Sequence, residues 1–238
     1  MSKSQTLSIV IPSLNEATHL PLLIADLNLW PHQLEICVCD ANSSDQSVLI
    51  AKLSGAKVIQ HSEPNRGAQL HHGASNTNGE WLLFLHADCR MPREWPKVLG
   101  KVISQVESRN IAWFFDFQVK GKGIEMKLLE IAVAIRSNLF RRPYGDQGLL
   151  IYRPLYEEIG GYKPIYLMED LDIIQRISKR VQIKSLGLPL YSDGRRWDNI
   201  NFIAKAWDNA KLRRRWRKGE YSKALSREYY KNQEQKQY

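Results

Sequence analysis

Five consecutive large apolar residues, Trp81-Leu82-Leu83-Phe84-Leu85, run straight into His86-Ala87-Asp88. The run is too short for an ordinary helix and fits a strand buried on both faces. A strand of that kind requires a sheet with helices on either side, which is why it constrains the fold more than any other stretch. In an extended chain residues i and i+2 point the same way, so His86 and Asp88 are expected to converge on one ligand beyond the strand. Ligand sites of open α/β sheets lie at those carboxyl ends. The plain alternative is a strand that stops in a polar loop, with Asp88 as a turn residue.

The flanking chain supplies the partners. Leu7–Ile11 reads as a first buried strand ended by Pro12, and Ser13-Leu14-Asn15-Glu16 has the spacing of a capping box opening a helix through about Asn28. Capping explains this turn. Free backbone N–H groups after a strand would equally suit a nucleotide phosphate. Leu34–Cys39 is the second strand, ending in Asp40-Ala41-Asn42-Ser43-Ser44-Asp45, where Ser44 or Asp45 caps a helix to Gly55. Lys57–Gln60 is a short third strand. Alternating βα units assemble as a right-handed, mostly parallel sheet, so Asp40 joins Asp88 at one carboxyl edge. No Gly-x-Gly-x-x-Gly or Walker loop follows any strand, which weakens the dinucleotide and P-loop readings.

Arg66–Ala74 reads as a short helix that brings Arg66 close to the nucleotide edge; the adjacent His71 and His72 diverge on it and are taken as structural or surface residues. A helix from about Pro92 to Ser108 and the strand Ala112–Val119 follow. Ile124–Phe140 carries a helical stripe of Ile124, Leu128, Ile131, Ile135 and Leu139, widened by Leu129, Val133 and Phe140. Core packing and a helix lying on a membrane both fit it. A polar turn, Arg141–Gly148, leads to the strand Leu149–Tyr152. Gly160-Gly161-Tyr162 breaks the chain, and Met168-Glu169-Asp170 enters another helix. Acids at a helix start also serve simply as dipole complements.

At 238 residues the chain is long enough for one α/β domain with appended helices. No stretch approaches the roughly 18 apolar residues of a membrane span. The segment MSKSQTLSIVIPS does not read as a signal peptide. Cys37, Cys39 and Cys89 form no metal-spaced cluster, and Cys37 and Cys39 are too close along one strand for an ordinary disulfide; a reduced, cytoplasmic protein is expected. The net charge of +9 is concentrated late. From Arg195 to Tyr238 there are thirteen Lys/Arg against five Asp/Glu. Such a tail suits nucleic acid, an anionic membrane surface or water.

Taken in order, SIVIPSLNE, CDANSSD, RGAQLHHGA, LFLHAD, GDQG, GGY, MED and RRW resemble glycosyltransferase family two, the inverting enzymes with a single Rossmann-like nucleotide-sugar domain of GT-A type. The resemblance covers about Leu7 to Trp197 and is closest to small, stand-alone bacterial members whose metal motif begins with His. It implies an α/β fold with a mostly parallel twisted sheet flanked by helices, a transferase domain over residues 1–197, and a basic aromatic helical tail over 198–238. It further implies that Pro12, Asn15 and Glu16 line the base and ribose, that Asp40 hydrogen-bonds the pyrimidine ring, and that Arg66 lies against base or phosphates. By the same resemblance Asp88, with His86, holds Mn2+ or Mg2+ bridging the donor diphosphate. Gly145, Asp146 and Gln147 shape the acceptor side, Glu169 and Asp170 supply the base, and Arg195, Arg196 and Trp197 steady the diphosphate.

One departure stands out. The usual metal motif is Asp-x-Asp, and a neutral imidazole at His86 adds no negative charge, so metal binding should be looser and the arginines should carry more of the leaving-group charge. The expected activity is transfer of a sugar from a nucleotide-diphosphate donor, UDP-linked in this reading, to a hydroxyl acceptor that is a candidate for lipid linkage. A nucleotidyltransferase shares a related sheet and metal use, but normally carries a glycine-rich, basic amino-terminal loop, and SLNEATHL has neither glycine nor basic residue. A non-enzymatic basic module for a membrane surface or nucleic acid explains Lys211–Lys218 but not the acids at successive strand ends. No specific nucleic-acid partner is expected. The greasy helix and the tail together suggest a protein peripheral to the inner membrane.

Overall fold

The computed structural model describes residues 6–119, 124–192 and 202–234. Its centre is the pair of strands that the sequence marks as apolar. β1 (Leu7–Ser13) lies parallel to β4 (Trp81–Phe84) on one side and to β2 (Leu34–Asp40) on the other, and β3 (Lys57–Gln60) completes that half. Every residue of β4 is buried. Because side chains alternate across a strand, Leu7, Ile9, Ile11, Trp81 and Leu83 enter one core while Val10, Leu82 and Phe84 enter the core on the opposite face. This two-sided burial is what a continuous apolar run demands.

Among the described residues the sheet has eight strands in the order β3-β2-β1-β4-β7-β6-β8-β5. β6 (Ile111–Val119) and β8 (Gln182–Ser192) run parallel to each other, while β7 (Leu149–Tyr152) is inserted antiparallel between β4 and β6. The two-residue β5 (Cys89–Arg90) closes the far edge against Tyr191 and Ser192 of β8. The result is the mostly parallel α/β sheet expected, curled at its β8–β5 end.

Helices cover both faces. α1 (Leu20–Leu27), α2 (Ser47–Leu53) and α4 (Trp95–Ser104) lie over the first core, where Trp30 stacks on Trp95 at 5.2 Å between ring centroids. Asp26 of α1 accepts from Arg90 Nε (2.6 Å) and Nη2 (2.8 Å), a two-point tie to β5. α3 (Arg66–Ser75), α6 (Arg153–Glu158) and α7 (Glu169–Ile177) cover the opposite core. α5 (Ile124–Asn138) packs through Val133, Met126 and Leu129 on Phe117 and Val119 at the end of β6. α8 (Phe202–Arg217) and α9 (Ser222–Glu234) form a hairpin whose Leu212 and Leu225 bury against Leu167.

Three local expectations are corrected. Pro12 does not end β1: it pairs with Cys39, and the strand continues to Ser13. The position tolerates proline because pairing with β4 has already stopped at Val10, so the missing N–H leaves no ladder bond unmade on that side. Ser13–Glu16 is not a capping box, since α1 begins only at Leu20 with His19 as an N-cap whose side chain makes no capping bond. The segment expected as one helix from Pro92 to Ser108 divides into α4 and a short 3-10 helix, Val106–Asn110.

Candidate active site

The carboxyl edge of the parallel strands gathers two clusters, one from the β1 and β2 turns and one from the segments before β7 and α7. In the first, the turn after β1 is tied to the turn after β2. Asn15, in the left-handed region at φ 56°, donates its N–H to Ser43 Oγ (2.8 Å). Glu16 N donates to Ser47 Oγ (2.7 Å) and Ala17 N donates to Asp45 Oδ2 (3.0 Å). The backbone N–H groups that the sequence offered to a phosphate are therefore taken by the neighbouring loop. Asn15 Oδ1 in turn accepts from Ser44 N (2.9 Å), and Glu16 Oε2 meets His19 Nδ1 at 2.7 Å.

Asp40 sits inside this lashing. It is fully buried, and its two carboxylate oxygens accept from Ser43 N (2.8 Å) and Ser43 Oγ (2.5 Å). Asp40 thus shapes the β2 turn, and a base reaching it must use a lone pair that Ser43 leaves over. Gln69 of α3 closes the floor, donating from Nε2 to the carbonyls of Cys39 (2.7 Å) and Ser13 (3.2 Å). Pro12 lies half-buried at the same edge.

The second cluster is built differently. β4 ends at Phe84, and Cys89 N donates to the His86 carbonyl (3.4 Å), so His86–Cys89 is a turn and not an extended tail. The i, i+2 argument for His86 and Asp88 therefore fails. Asp88 is buried, whereas His86 faces Gly145: a Cβ on Gly145 would lie 2.7 Å from His86 Nε2. A side chain at Gly145 would have to displace the His86 ring. The Gly145 N–H donates to Asp170 Oδ2 (3.0 Å), and Leu171 N donates to Asp170 Oδ1 (2.7 Å), so two backbone amides orient a half-buried carboxylate.

Glu169 has the opposite setting. It is buried, and its Oε1 accepts from Arg66 Nη1 at 3.3 Å. Burial pushes its pKa up to about 7, with the Asp170 charge adding to the rise and Arg66 opposing it. Asp146 is raised to about 6, chiefly by burial, while Arg136 opposes and Asp170 and Asp88 repel its charge. Asp146 Oδ1 is buried with no hydrogen-bond partner, its nearest cation being Arg136 Nη2 at 3.9 Å.

Gln147 is not open to an acceptor. Its Oε1 accepts from Ser137 Oγ (2.6 Å) and Arg136 Nη2 (3.0 Å), and its Nε2 donates to the Phe115 carbonyl (3.1 Å). It fixes the Gly145–Gln147 turn to α5 and β6. Tyr144, for which the sequence reading found no role, lines the same narrow cleft as His86, Gly145 and Asp170. The Arg136 guanidinium lies 3.7 Å from its ring centroid, and Arg213 of α8 lies 5.8 Å away. The run RRPYGDQG held Tyr144 in view; only the fold brings Arg136 and Arg213 to it. Arg195, Arg196 and Trp197 lie outside the described residues. His71 and His72 are exposed, as expected.

Among the described residues no group of three or more His, Cys, Asp or Glu stands together as a metal site. A divalent cation shared with a diphosphate needs only one or two protein oxygens. The charges of Asp170 and Asp88 acting on Asp146, and the unpartnered Asp146 oxygen, fit a cation at that point.

A family model described as Glycosyl transferase family 2 matches residues 8–160. The chain is 33% identical over 98 residues to 4,4'-diaponeurosporenoate glycosyltransferase of Staphylococcus haemolyticus, covering 38% of this chain and 26% of that protein. It therefore spans about a quarter of that relative's length. Among solved structures it is similar to S. aureus TarS 1-349 in complex with UDP-GlcNAc, with a TM-score of 0.64 and 16% identity over 79% of this chain and 58% of that one. The mannosyltransferase PcManGT from Pyrobaculum calidifontis, in complex with GDP-Man and Mn2+, gives a TM-score of 0.64 at 15% identity, covering 89% of this chain and 62% of that one. At these identities the structural likenesses establish the fold, which is of GT-A type.

Proposed function

The chain belongs to glycosyl transferase family 2, and from that premise we propose that it moves a sugar, with inversion, from a nucleotide-diphosphate donor to a hydroxyl acceptor. The observation that carries this reading is the division of labour within Glu169-Asp170. Glu169 is buried against Arg66, whereas Asp170 is half-buried, lines the cleft and is oriented by two backbone amides. Asp170 is the base: it takes the acceptor proton as the acceptor oxygen bonds to the anomeric carbon. The bond from that carbon to the diphosphate breaks, and its electron pair leaves with the nucleoside diphosphate. Inversion requires the base to lie opposite the leaving group. Asp170 and Asp88 come from separate segments, as that requires.

Glu169 and Arg66 form a positioning pair that joins the base segment to the start of α3. Pro12, Asn15, Glu16 and Asp40 make the floor for a nucleotide, which we take to be uridine, and Arg195, Arg196 and Trp197 are assigned to the diphosphate. Asp88, with His86 beside it, would hold Mn2+ or Mg2+; when bound, the ion offsets charge developing on the departing diphosphate. The transferase domain is taken as residues 1–197 and the helical tail as 198–238; burial of Leu212 and Leu225 on Leu167 supports a tail that packs on the domain. The three cysteines are buried and form no disulfide, which is compatible with a reducing cytoplasm.

The test is a thermal-shift series with UDP, GDP, CDP and ADP, each with and without Mn2+, because a ligand that binds only the folded state raises its stability. UDP with Mn2+ should give the largest shift, Asp88→Ala should lose most of the metal dependence, and His86→Ala less. Stabilisation by none of the four overturns the donor assignment. A UDP shift that ignores chelator moves the diphosphate role onto the arginines.

A further inference from the structure

Most helices of this protein bury their apolar residues and α5 does not. Leu128, Ile131, Ile135, Leu139 and Phe140, along α5 and its exit, are 50% to 73% exposed. At spacings of three and four residues the first four share one side of the helix. They are not spare core, because the opposite side of α5 is already committed. Val133 is buried on Phe117 and Val119, Glu130 Oε1 accepts from Val119 N (3.0 Å), and Arg136 and Ser137 hold Gln147.

Charge selects what covers the outer side. Lys127 precedes the stripe, Arg141 and Arg142 follow it, and all three are exposed; among the described residues from 126 to 142 no exposed residue is acidic. A second copy of the chain laid antiparallel would set Lys127 against Arg141 and Arg142, and a parallel copy would set like against like. Either pairing costs cation repulsion, with no exposed acid among the described residues from 126 to 142 to relieve it. No helix among the described residues is long and apolar enough to cross a membrane, so the stripe lies on a surface and does not enter as a span. Near the carboxyl end of α5, α8 adds more positive charge, with Arg213 reaching Tyr144 and Arg214, Arg217 and Lys218 exposed.

We propose that α5 is a membrane-surface helix: Leu128, Ile131, Ile135, Leu139 and Phe140 enter the headgroup zone of an anionic phospholipid bilayer, and Lys127, Arg141 and Arg142 meet its phosphates. The consequence for the site rests on the transferase reading above. Through Arg136, Ser137 and Gln147 the same helix carries the Gly145–Gln147 turn, so the acceptor side of the cleft is held next to the bilayer. The acceptor class that suits this placement is an amphiphile whose hydroxyl stands at the lipid surface.

Flotation of the full chain with vesicles of phosphatidylcholine alone, and of phosphatidylcholine mixed with phosphatidylglycerol, tests the proposal. The protein should float with the mixed vesicles, float much less with the neutral ones, and lose binding as salt rises. Ile131→Asp with Ile135→Asp should abolish flotation, and Arg141→Gln with Arg142→Gln should weaken it about tenfold. Both pairs are exposed, so thermal melting and the UDP shift should stay as in the wild type, which separates a failure here from a failure of the donor assignment. Wild-type protein that stays unbound to both vesicle types overturns the proposal. So does a dimer by light scattering that Ile131→Asp dissociates, since a second copy would then cover the stripe.

Discussion

The two clusters at the sheet edge are made of similar residues and are held in opposite ways. Around Asp40 the carboxylates and turn amides are answered locally: Ser43, Ser44, Asp45 and Ser47 lash the β1 and β2 turns together, and Asp40 spends both oxygens on Ser43, while the buried Ser13 hydroxyl is left without a partner. Around Asp170 the charges are only partly answered. Glu169 and Asp146 are held above the usual carboxylate range by burial, with the Asp170 charge adding to both, and one Asp146 oxygen lacks a hydrogen bond. The first region is a preformed floor. The second is electrostatically loaded, and an incoming cation or substrate proton would relieve it. The contrast teaches that residue type alone does not tell the two clusters apart; the state of their hydrogen bonds does.

If this division is right, Asp170→Asn produces the largest effect: transfer should fall about a hundredfold or more while nucleotide affinity is retained. Near-normal turnover would move the base to Glu169 or Asp146 and break the comparison. A pH effect on stability comes next. Because the folded pKa of Glu169 is raised to about 7 from 4.5, its contribution is complete below the ordinary carboxylate value and is lost as pH rises through about 7. Urea midpoints should therefore fall between pH 5 and pH 8, by on the order of 2 kcal/mol in unfolding free energy, and Glu169→Gln should flatten that slope. A wild-type profile that is flat over this range would mean that Arg66 answers the buried charge fully.

Smaller effects sharpen the boundary between the regions. Gly145→Ala presses a methyl group on His86 and disturbs the amide that orients Asp170, so kcat should drop about tenfold with donor KM unchanged. A change confined to donor KM would put Gly145 on the nucleotide side. Ser43→Ala removes the acceptor for Asn15 N and a donor to Asp40, a loss of roughly 1 kcal/mol. It should raise donor KM about fivefold and leave kcat alone. Loss of kcat in that variant would show that the floor is coupled to the base.

Much of the β1–β2 half of the sheet edge was legible because its signals are local. The apolar runs of β1, β2 and β4, the short β3, and Asp40 at the end of β2 all lie where alternation and turn residues put them. Where the reading failed, the deciding partner was remote in sequence. Ser13–Glu16 resembles a cap, but the side chains that satisfy its N–H groups come from residues 43 to 47. His86 and Asp88 alternate on paper, yet the turn bond from Cys89 N redirects them. Gln147 looks like an acceptor-facing amide and is buried by Phe115, Arg136 and Ser137. The direction of β7, set by its pairing with β4 and β6, has no signature in its four residues.

The α8–α9 hairpin has a consequence for the order in which the protein is made. Leu225 covers Leu167, Ser222 Oγ accepts from Tyr166 N (3.4 Å), and Lys223 Nζ donates to Glu63 Oε2 (2.9 Å) beside Tyr166. These contacts close on the segment that leads into Glu169 and Asp170 through Met168, which holds a left-handed backbone at φ 72°. A nascent chain that has reached residue 192 already holds the strands of the sheet and both carboxylate clusters. The outer side of Leu167 stays bare until α9 leaves the ribosome, a matter of seconds at roughly 5–20 residues per second. Synthesis thus reaches the residues that cover Leu167 only after the segment leading into Glu169 and Asp170 has been made, and a chain stopped before residue 222 carries an apolar wound beside the proposed base.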